Sequence, residues 1–230
     1  MKKMNWLVMC AWLMIALPAW AQSVKEKELY LKEAGNFALL YQGVLEEGYK
    51  RGYVNTPYYP QEYEMGSLVY EGMDYSGIPM RLDCRTGRIV MKTPNGIFHI
   101  VLLPEVAPRV TIGDRDFVFF TDADRAPGTT YFIALYENKE WGIYKQRYVS
   151  NVNQDLEQGK VRKEFSLKQR VFFKKGNRWQ SLVGKDDFIK QFKEHKKALT
   201  DYCKQEKLRP SDKKEEDWIR LARYCETLIQ

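Results

Sequence analysis

The chain has 230 residues, of which 44% are hydrophobic and 14% aromatic, which excludes a disordered or low-complexity protein and is ample for a core. Its 37 basic and 30 acidic side chains give a formal charge of +7, a mild excess. Its four cysteines show no C-x-x-C spacing, so the usual redox and zinc motifs are excluded too.

The first 21 residues read as a signal peptide. Lys2 and Lys3 precede an uncharged apolar run from Trp6 to Leu17, and Ala19-Trp20-Ala21 has the small-x-small form of a cleavage site. Cleavage between Ala21 and Gln22 is expected. It leaves 209 of the 230 residues and, with Lys2 and Lys3 gone, a net charge of +5 instead of +7. The apolar run falls short of the roughly 20 residues a bilayer anchor needs. Cys10 sits early in that run behind Met9, where a lipoprotein would carry a small residue. The expected location is therefore the periplasm, with association to the outer membrane allowed. A basic protein there meets no nucleic acid; lipid head groups, lipopolysaccharide phosphates or acidic proteins are its anionic partners. The plainer reading of the charge is lysines that keep a surface soluble.

Residues 22–36 form a charged, helix-prone lead broken at Ala34-Gly35-Asn36, and Phe37 to Tyr41 reads as an isolated strand. From Gln42 to Met65 the chain carries Tyr49, Tyr53, Tyr58, Tyr59 and Tyr63 with Pro57 and Pro60, and is expected to be a long irregular connection. Tyrosines so clustered could form a stacking platform for a glycan. They are also the ordinary choice where one end of a side chain is buried and the other wet, and structural packing is the better reading.

Gly66 to Leu103 is the best-defined stretch. Leu68 to Glu71 is a strand, and after Gly72 a second strand alternates Ile78, Met80, Leu82 and Cys84 against Arg81 and Asp83. Arg85-Thr86-Gly87 closes a turn, Ile89 to Lys92 is a third strand, and Pro94-Asn95-Gly96 leads into Ile97 to Leu103. Asn-Gly between apolar runs is a strong hairpin signal, since both central residues of a type I′ turn need positive φ. Further strands are expected at Arg109 to Ile112, Phe117 to Thr121, Thr129 to Glu137 and Trp141 to Arg147. Residues 148–166 show no period and read as a mobile surface loop. A last hairpin pairs Leu167 to Lys174 with Arg178 to Leu182. The fold class is mainly β: an antiparallel sheet of about ten strands over residues 37–182, curled or closed like a barrel.

The period then changes. Phe188, Ile189, Phe192, Leu199 and Tyr202-Cys203 recur at helical spacing from Lys185 to Lys207, and Trp218, Leu221, Ala222, Cys225 and Leu228 form a second stripe. Asp212 and Glu215 make a capping box for that second helix. Residues 183–230 are thus a helical hairpin, expected to pack on the sheet. With its turn near Pro210, Cys203 faces about residue 217, and Cys225 lies about eight residues beyond, some 12 Å away. That is too far for a disulfide. Cys84, on the apolar face of its strand, reads as a buried thiol.

Candidate chemistry is sparse. His99 has no second ligand at metal spacing and no neighbouring nucleophile, and reads as a packed or rim histidine; His195 lies among lysines. Asp114, Asp116, Asp122 and Asp124 lack the glycine and the distal glutamate of a calcium loop, and read as turn carboxylates. G-x-S-x-G, H-E-x-x-H, a P-loop and G-x-G-x-x-G do not occur. No cofactor, metal or catalytic residue is expected.

Several segments together resemble a group of exported proteins of unknown function from Bacteroidota-type bacteria. They are Phe37-Ala-Leu-Leu-Tyr41 behind Ala34-Gly35, Asn55-Thr-Pro-Tyr-Tyr59, Gly66-Ser-Leu-Val-Tyr-Glu-Gly72 and Pro79-Met-Arg-Leu-Asp83. Val110 to Phe119 and Tyr224-Cys-Glu-Thr-Leu228 continue the likeness. The resemblance implies an envelope location and carries no catalytic residues. The expected function is a non-catalytic interaction or accessory subunit with an envelope protein as partner. Its candidate surface is Tyr53, Tyr58, Tyr59, Tyr63 and Trp218, and peripheral membrane contact is allowed. Two other readings are a carrier of lipid or another small apolar ligand inside the curled sheet, and a hydrolase using loop carboxylates with His99.

Overall fold

The computed structural model describes residues 34–35, 38–49, 52–157 and 160–229. The signal segment, the Ala21–Gln22 junction and almost all of the 22–36 lead lie outside the described residues. The strands are β1 (Val44–Leu45), β2 (Tyr58–Tyr70), β3 (Met73–Asp83), β4 (Arg88–Lys92), β5 (His99–Val101) and β6 (Arg109–Ile112). They continue as β7 (Arg115–Phe119), β8 (Tyr131–Glu137), β9 (Trp141–Glu157), β10 (Lys160–Lys175) and β11 (Arg178–Leu182). All eleven join one antiparallel sheet in the order β1-β5-β4-β3-β2-β6-β7-β8-β9-β10-β11. The sheet is not closed: β1 and β11 are its edges.

The alternation of β3 sets the core. Ile78, Met80 and Leu82 point inward, and the register carries the layer sideways through Met80↔Met91, Leu82↔Ile89 and Met91↔Ile100. Val110, Ile112, Phe117, Phe119, Tyr131 and Ile133 continue it across β6 to β8. Leu135 of β8 packs against both this cluster and a second one, where Trp141, Ile143, Val171 and Phe173 meet the C-terminal helices. The sheet curls far enough for the β3–β4 turn to reach β8 and β9. There the Val149 N–H donates to the Cys84 carbonyl at 3.0 Å, and the Tyr131 N–H to the Gly87 carbonyl at 3.2 Å.

Gly66 lies mid-sheet, opposite Ile78 on one side and Ile112 on the other. A Cβ there would press on the Thr111 carbonyl oxygen and come within 2.5 Å of Met80 Cε. Backbone on one side cannot yield, so Gly66→Ala is expected to cost about 2 kcal/mol of stability, an overpacking penalty. A urea midpoint equal to wild type would show that the strands separate more easily than this spacing implies.

Three expected elements ahead of the helices differ. Leu39–Tyr41 is a single 3-10 turn rather than a strand, with Ala38, Leu40 and Tyr41 all buried against the core. Adjacent Leu40 and Tyr41 cannot both face inward on a strand, where neighbours point to opposite faces. The Tyr-rich connection contains β1 and the first half of β2. Residues 148–166 are not a loop: they are the outer halves of β9 and β10, paired from Lys160↔Glu157 to Leu167↔Val149 with a register shift at Ser166/Leu167. Most of their side chains are exposed on both faces, so no alternation marks them.

The helices are α1 (Lys185–Ile189), α2 (Lys196–Gln205) and α3 (Glu215–Ile229), with a 3-10 turn at Lys193–His195. The expected helix from Lys185 to Lys207 is therefore broken. Its break lets Phe188 and Phe192 converge on Trp141, with ring centroids at 5.7 and 5.2 Å. In the α2–α3 hairpin Tyr202 stacks on Tyr224 at 3.9 Å, Glu206 pairs with Arg220, and the Arg209 N–H donates to Asp217. Cys203 thus lies opposite about residue 223, not 217, because the turn is centred beyond Pro210. Cys84, Cys203 and Cys225 are free, buried thiols, and burial raises the pKa of each, to about 12 for Cys84 and Cys225.

Candidate functional site: an aromatic groove beside an open sheet edge

Antiparallel register puts directly opposed residues on the same face. Arg81 opposes Val90, Lys92 opposes His99, and Val90 opposes Val101, so these residues share the face turned away from the core. Residues 46–49 and 52–58 lie across that face. Asn55 fastens the second stretch to β10 through its side-chain amide, which donates to the Phe165 carbonyl at 2.9 Å and accepts from the Phe165 N–H at 2.8 Å. Between these residues and the sheet lies a groove of about 430 Å³, lined by Glu46, Tyr49, Tyr53, Tyr58, Arg81 and His99.

Its walls are a network. Tyr53 stacks on Phe165 at 4.4 Å with rings 3° from parallel, and Tyr49 meets Phe165 edge-on at 5.0 Å. The Tyr49 hydroxyl donates to Asp83 at 2.7 Å, and the same buried carboxylate accepts from the Arg85 N–H and the Thr86 hydroxyl, each at 2.9 Å. Tyr58 donates to Glu46 by a short hydrogen bond, and the other Glu46 oxygen lies 3.4 Å from His99 Nδ1. Burial and these carboxylate partners raise the Tyr49 and Tyr58 pKa values, so both phenols stay neutral donors. The Arg81 guanidinium is held between two rings, 3.4 Å from the centroid of Tyr58 and 4.1 Å from that of Tyr63. Lys92 Nζ sits 4.4 Å from the Tyr63 centroid. Burial raises the Tyr63 pKa to about 12 against the opposing pull of Arg81.

Tyr53, Tyr58 and Tyr63 are thus brought together. Tyr59 is not: it turns to the other side of β2, 3.9 Å from Arg147 and 5.6 Å from Arg115. Trp218 is a correction to the expected surface, being fully buried between the helices and the sheet with its indole N–H on the Ser211 carbonyl at 2.9 Å. The tyrosine faces are largely covered by Phe165, Arg81 and Lys92, so little ring surface is left for a sugar to stack on. Arg81, Glu46, Asp83 and Phe165 are the members that sequence reasoning missed. The signal for Arg81 was there, as a cation on the outward face of an alternating strand beside a run of tyrosines.

The loop carboxylates do not join His99. Asp116 accepts from the Thr111 hydroxyl at 2.8 Å and pairs with Arg109, while Asp124 accepts from the Thr121 N–H and lies 3.7 Å from Lys174. Among the described residues no group of three His, Cys, Asp or Glu side chains could hold a metal ion.

Beside the groove the sheet ends in β1. Val44 opposes Val101 and Leu45 opposes Ile100, yet Val44 and Leu45 are 63% and 57% exposed. Ile97 and Phe98, in the turn before β5, are also exposed. The Glu46 N–H donates to the His99 carbonyl, so by alternation the backbone groups of Leu45 and Gly43 point away from the sheet. Gly43 allows this close approach, since a Cβ there would come 2.7 Å from Ile100 Cγ2. Comparison with protein-family models, curated proteins and solved structures finds no match, so the groove and this edge speak for themselves.

Proposed function

We propose that the chain is an exported envelope protein that binds rather than catalyses, an accessory subunit that takes an extended segment of another envelope protein along β1. The observation that carries this reading is the apolar edge at Val44-Leu45, which is exposed among the described residues. Edge strands of soluble proteins are ordinarily blunted by shortness, charge, proline or a covering element; β1 is short, at two residues, but carries neither charge nor proline. Here both faces of the edge are apolar, and the Leu45 backbone is turned outward for strand addition. The other surfaces weighed from sequence are spent internally: the helical stripes on the sheet, the tyrosine faces on Arg81 and Phe165.

A photocrosslinking side chain at position 45, in the native host, is expected to trap one envelope protein, whereas the same group at exposed Val183 beyond β11 traps none. Equal trapping from both positions, or none from position 45, would sink the reading.

A second reading, a small apolar ligand, is favoured by a groove of about 740 Å³ at the β2–β3 hairpin, lined in part by Leu68, Val69, Tyr75, Val106 and Pro108. The interior of the curl is occupied by Met80, Leu82, Met91 and Phe117, so such a ligand would lie in that outer groove.

A further inference from the structure

We propose that Arg81 is the centre of a binding site for a small anionic ligand, bearing a carboxylate or a phosphate monoester, in the groove it lines with Tyr49, Tyr53, Tyr58 and His99. This goes beyond the partner-docking edge and does not depend on it.

The geometry of the guanidinium points there. Tyr58 and Tyr63 cover its two faces, so only its planar edge is left to interact. That edge carries five donors in a fixed fork. Among the described residues its Nη1 donates to the Gln61 carbonyl at 3.3 Å, and Nε is buried without a partner. No carboxylate pairs with Arg81 among the described residues. The two acids of the neighbourhood are engaged elsewhere, Glu46 with Tyr58 and His99, Asp83 with Tyr49, Thr86 and the Arg85 backbone.

Glu46 and Asp83 lie in the same network, but neither makes a direct ion pair with the guanidinium, and an arginine clamped flat in a groove is preorganised for two parallel hydrogen bonds to an oxyanion. The surroundings agree. His99 turns Nδ1 toward Glu46, and among the described residues its other ring nitrogen has no hydrogen-bond partner, with a third of its side chain exposed at the groove. Lys92, across the strand pair from His99, adds positive charge on the same face. At about 430 Å³ the groove falls within the range of small-molecule sites. Because the tyrosine faces are covered, recognition rests on the anion, and a neutral sugar is not a substitute.

The test is a titration of the signal-free chain followed through the arginine side-chain N–H resonances. D-glucuronate and glucose 6-phosphate are the two anionic probes, and D-glucose is the uncharged control. The expected result is a saturable shift of the Arg81 resonance with at least one anion, no shift with glucose, and binding about tenfold weaker or worse in Arg81→Gln, as loss of a charge-assisted pair implies. Whichever anion binds more tightly tells carboxylate from phosphate. An unchanged resonance with both anions up to about 10 mM, a response to glucose equal to theirs, or unaltered binding by Arg81→Gln overturns the proposal. If Arg81→Gln does not fold, His99→Gln takes its place: anion binding must weaken several-fold, and unaltered binding again overturns it.

Discussion

Trp218→Ala is expected to lower the free energy of unfolding by about 4 kcal/mol, within the range for deleting a large buried aromatic side chain. Two losses combine. Projecting from α3, the indole is fully buried against Phe188, α2 and the sheet, so its removal leaves a cavity that rigid neighbours cannot fill. Its N–H also leaves the Ser211 carbonyl, which closes the α2–α3 turn. Urea unfolding would show the loss as a lower midpoint at unchanged slope. Trp218→Phe, which keeps most of the volume, should lose clearly less. If Trp218→Ala left the midpoint where it was but abolished capture of a partner, Trp218 would be an interface residue after all, and the packing described for α3 would be wrong.

Glu215→Ala is expected to cost about 3 kcal/mol, whereas Lys145→Met at the other end of the same ion pair should be close to neutral. Lys145 lies on β9 under the first turn of α3 and is only 2% exposed; its ammonium sits 2.5 Å from a Glu215 carboxylate that is itself partly in water. Removing the glutamate strands a charge in the interior. Replacing the lysine by methionine removes the buried charge, fills the same space and leaves the glutamate free to solvate. Equal costs for the two variants would mean that water already reaches Lys145. Both variants are read by the same denaturation experiment as Trp218→Ala, and neither touches the groove or the β1 edge. They therefore separate the stability of the helical layer from any binding role.

Reading the sequence went furthest where chemistry is local. The inward alternation of Ile78, Met80 and Leu82 and the turn at Asn95-Gly96 were legible because they depend only on side chains a few residues apart. The turn's place was legible but not its type: Gly96 adopts φ 70°, while Asn95 lacks the positive φ of a type I′ turn and its side chain accepts from the Ile97 N–H in a wider loop between Lys92 and His99. The α3 stripe was legible for the same reason: Trp218, Leu221, Ala222 and Cys225 repeat at the helical period because one side of the helix is buried. The same stripe could not say which surface buries it, so Trp218 served equally well as a surface candidate. The outer halves of β9 and β10 were invisible because a hairpin wet on both faces needs no hydrophobic period; its strands exist through their ladder alone.

The candidate site divides in the same way. The tyrosines announced themselves by number, and their wet-and-dry character follows from the residue type. That Tyr58 and Tyr63 close around Arg81, while Tyr59 faces Arg147, was decided by the order of strands and by the clip of Asn55 to Phe165, 110 residues away in the chain. Sequence alone determined the β class and, wherever a hydrophobic period exists, the apolar face of the element, since these follow from period and backbone preference. Only the tertiary structure decided which faces remain open, because exposure depends on what other parts of the chain cover, and that is settled by register and curl.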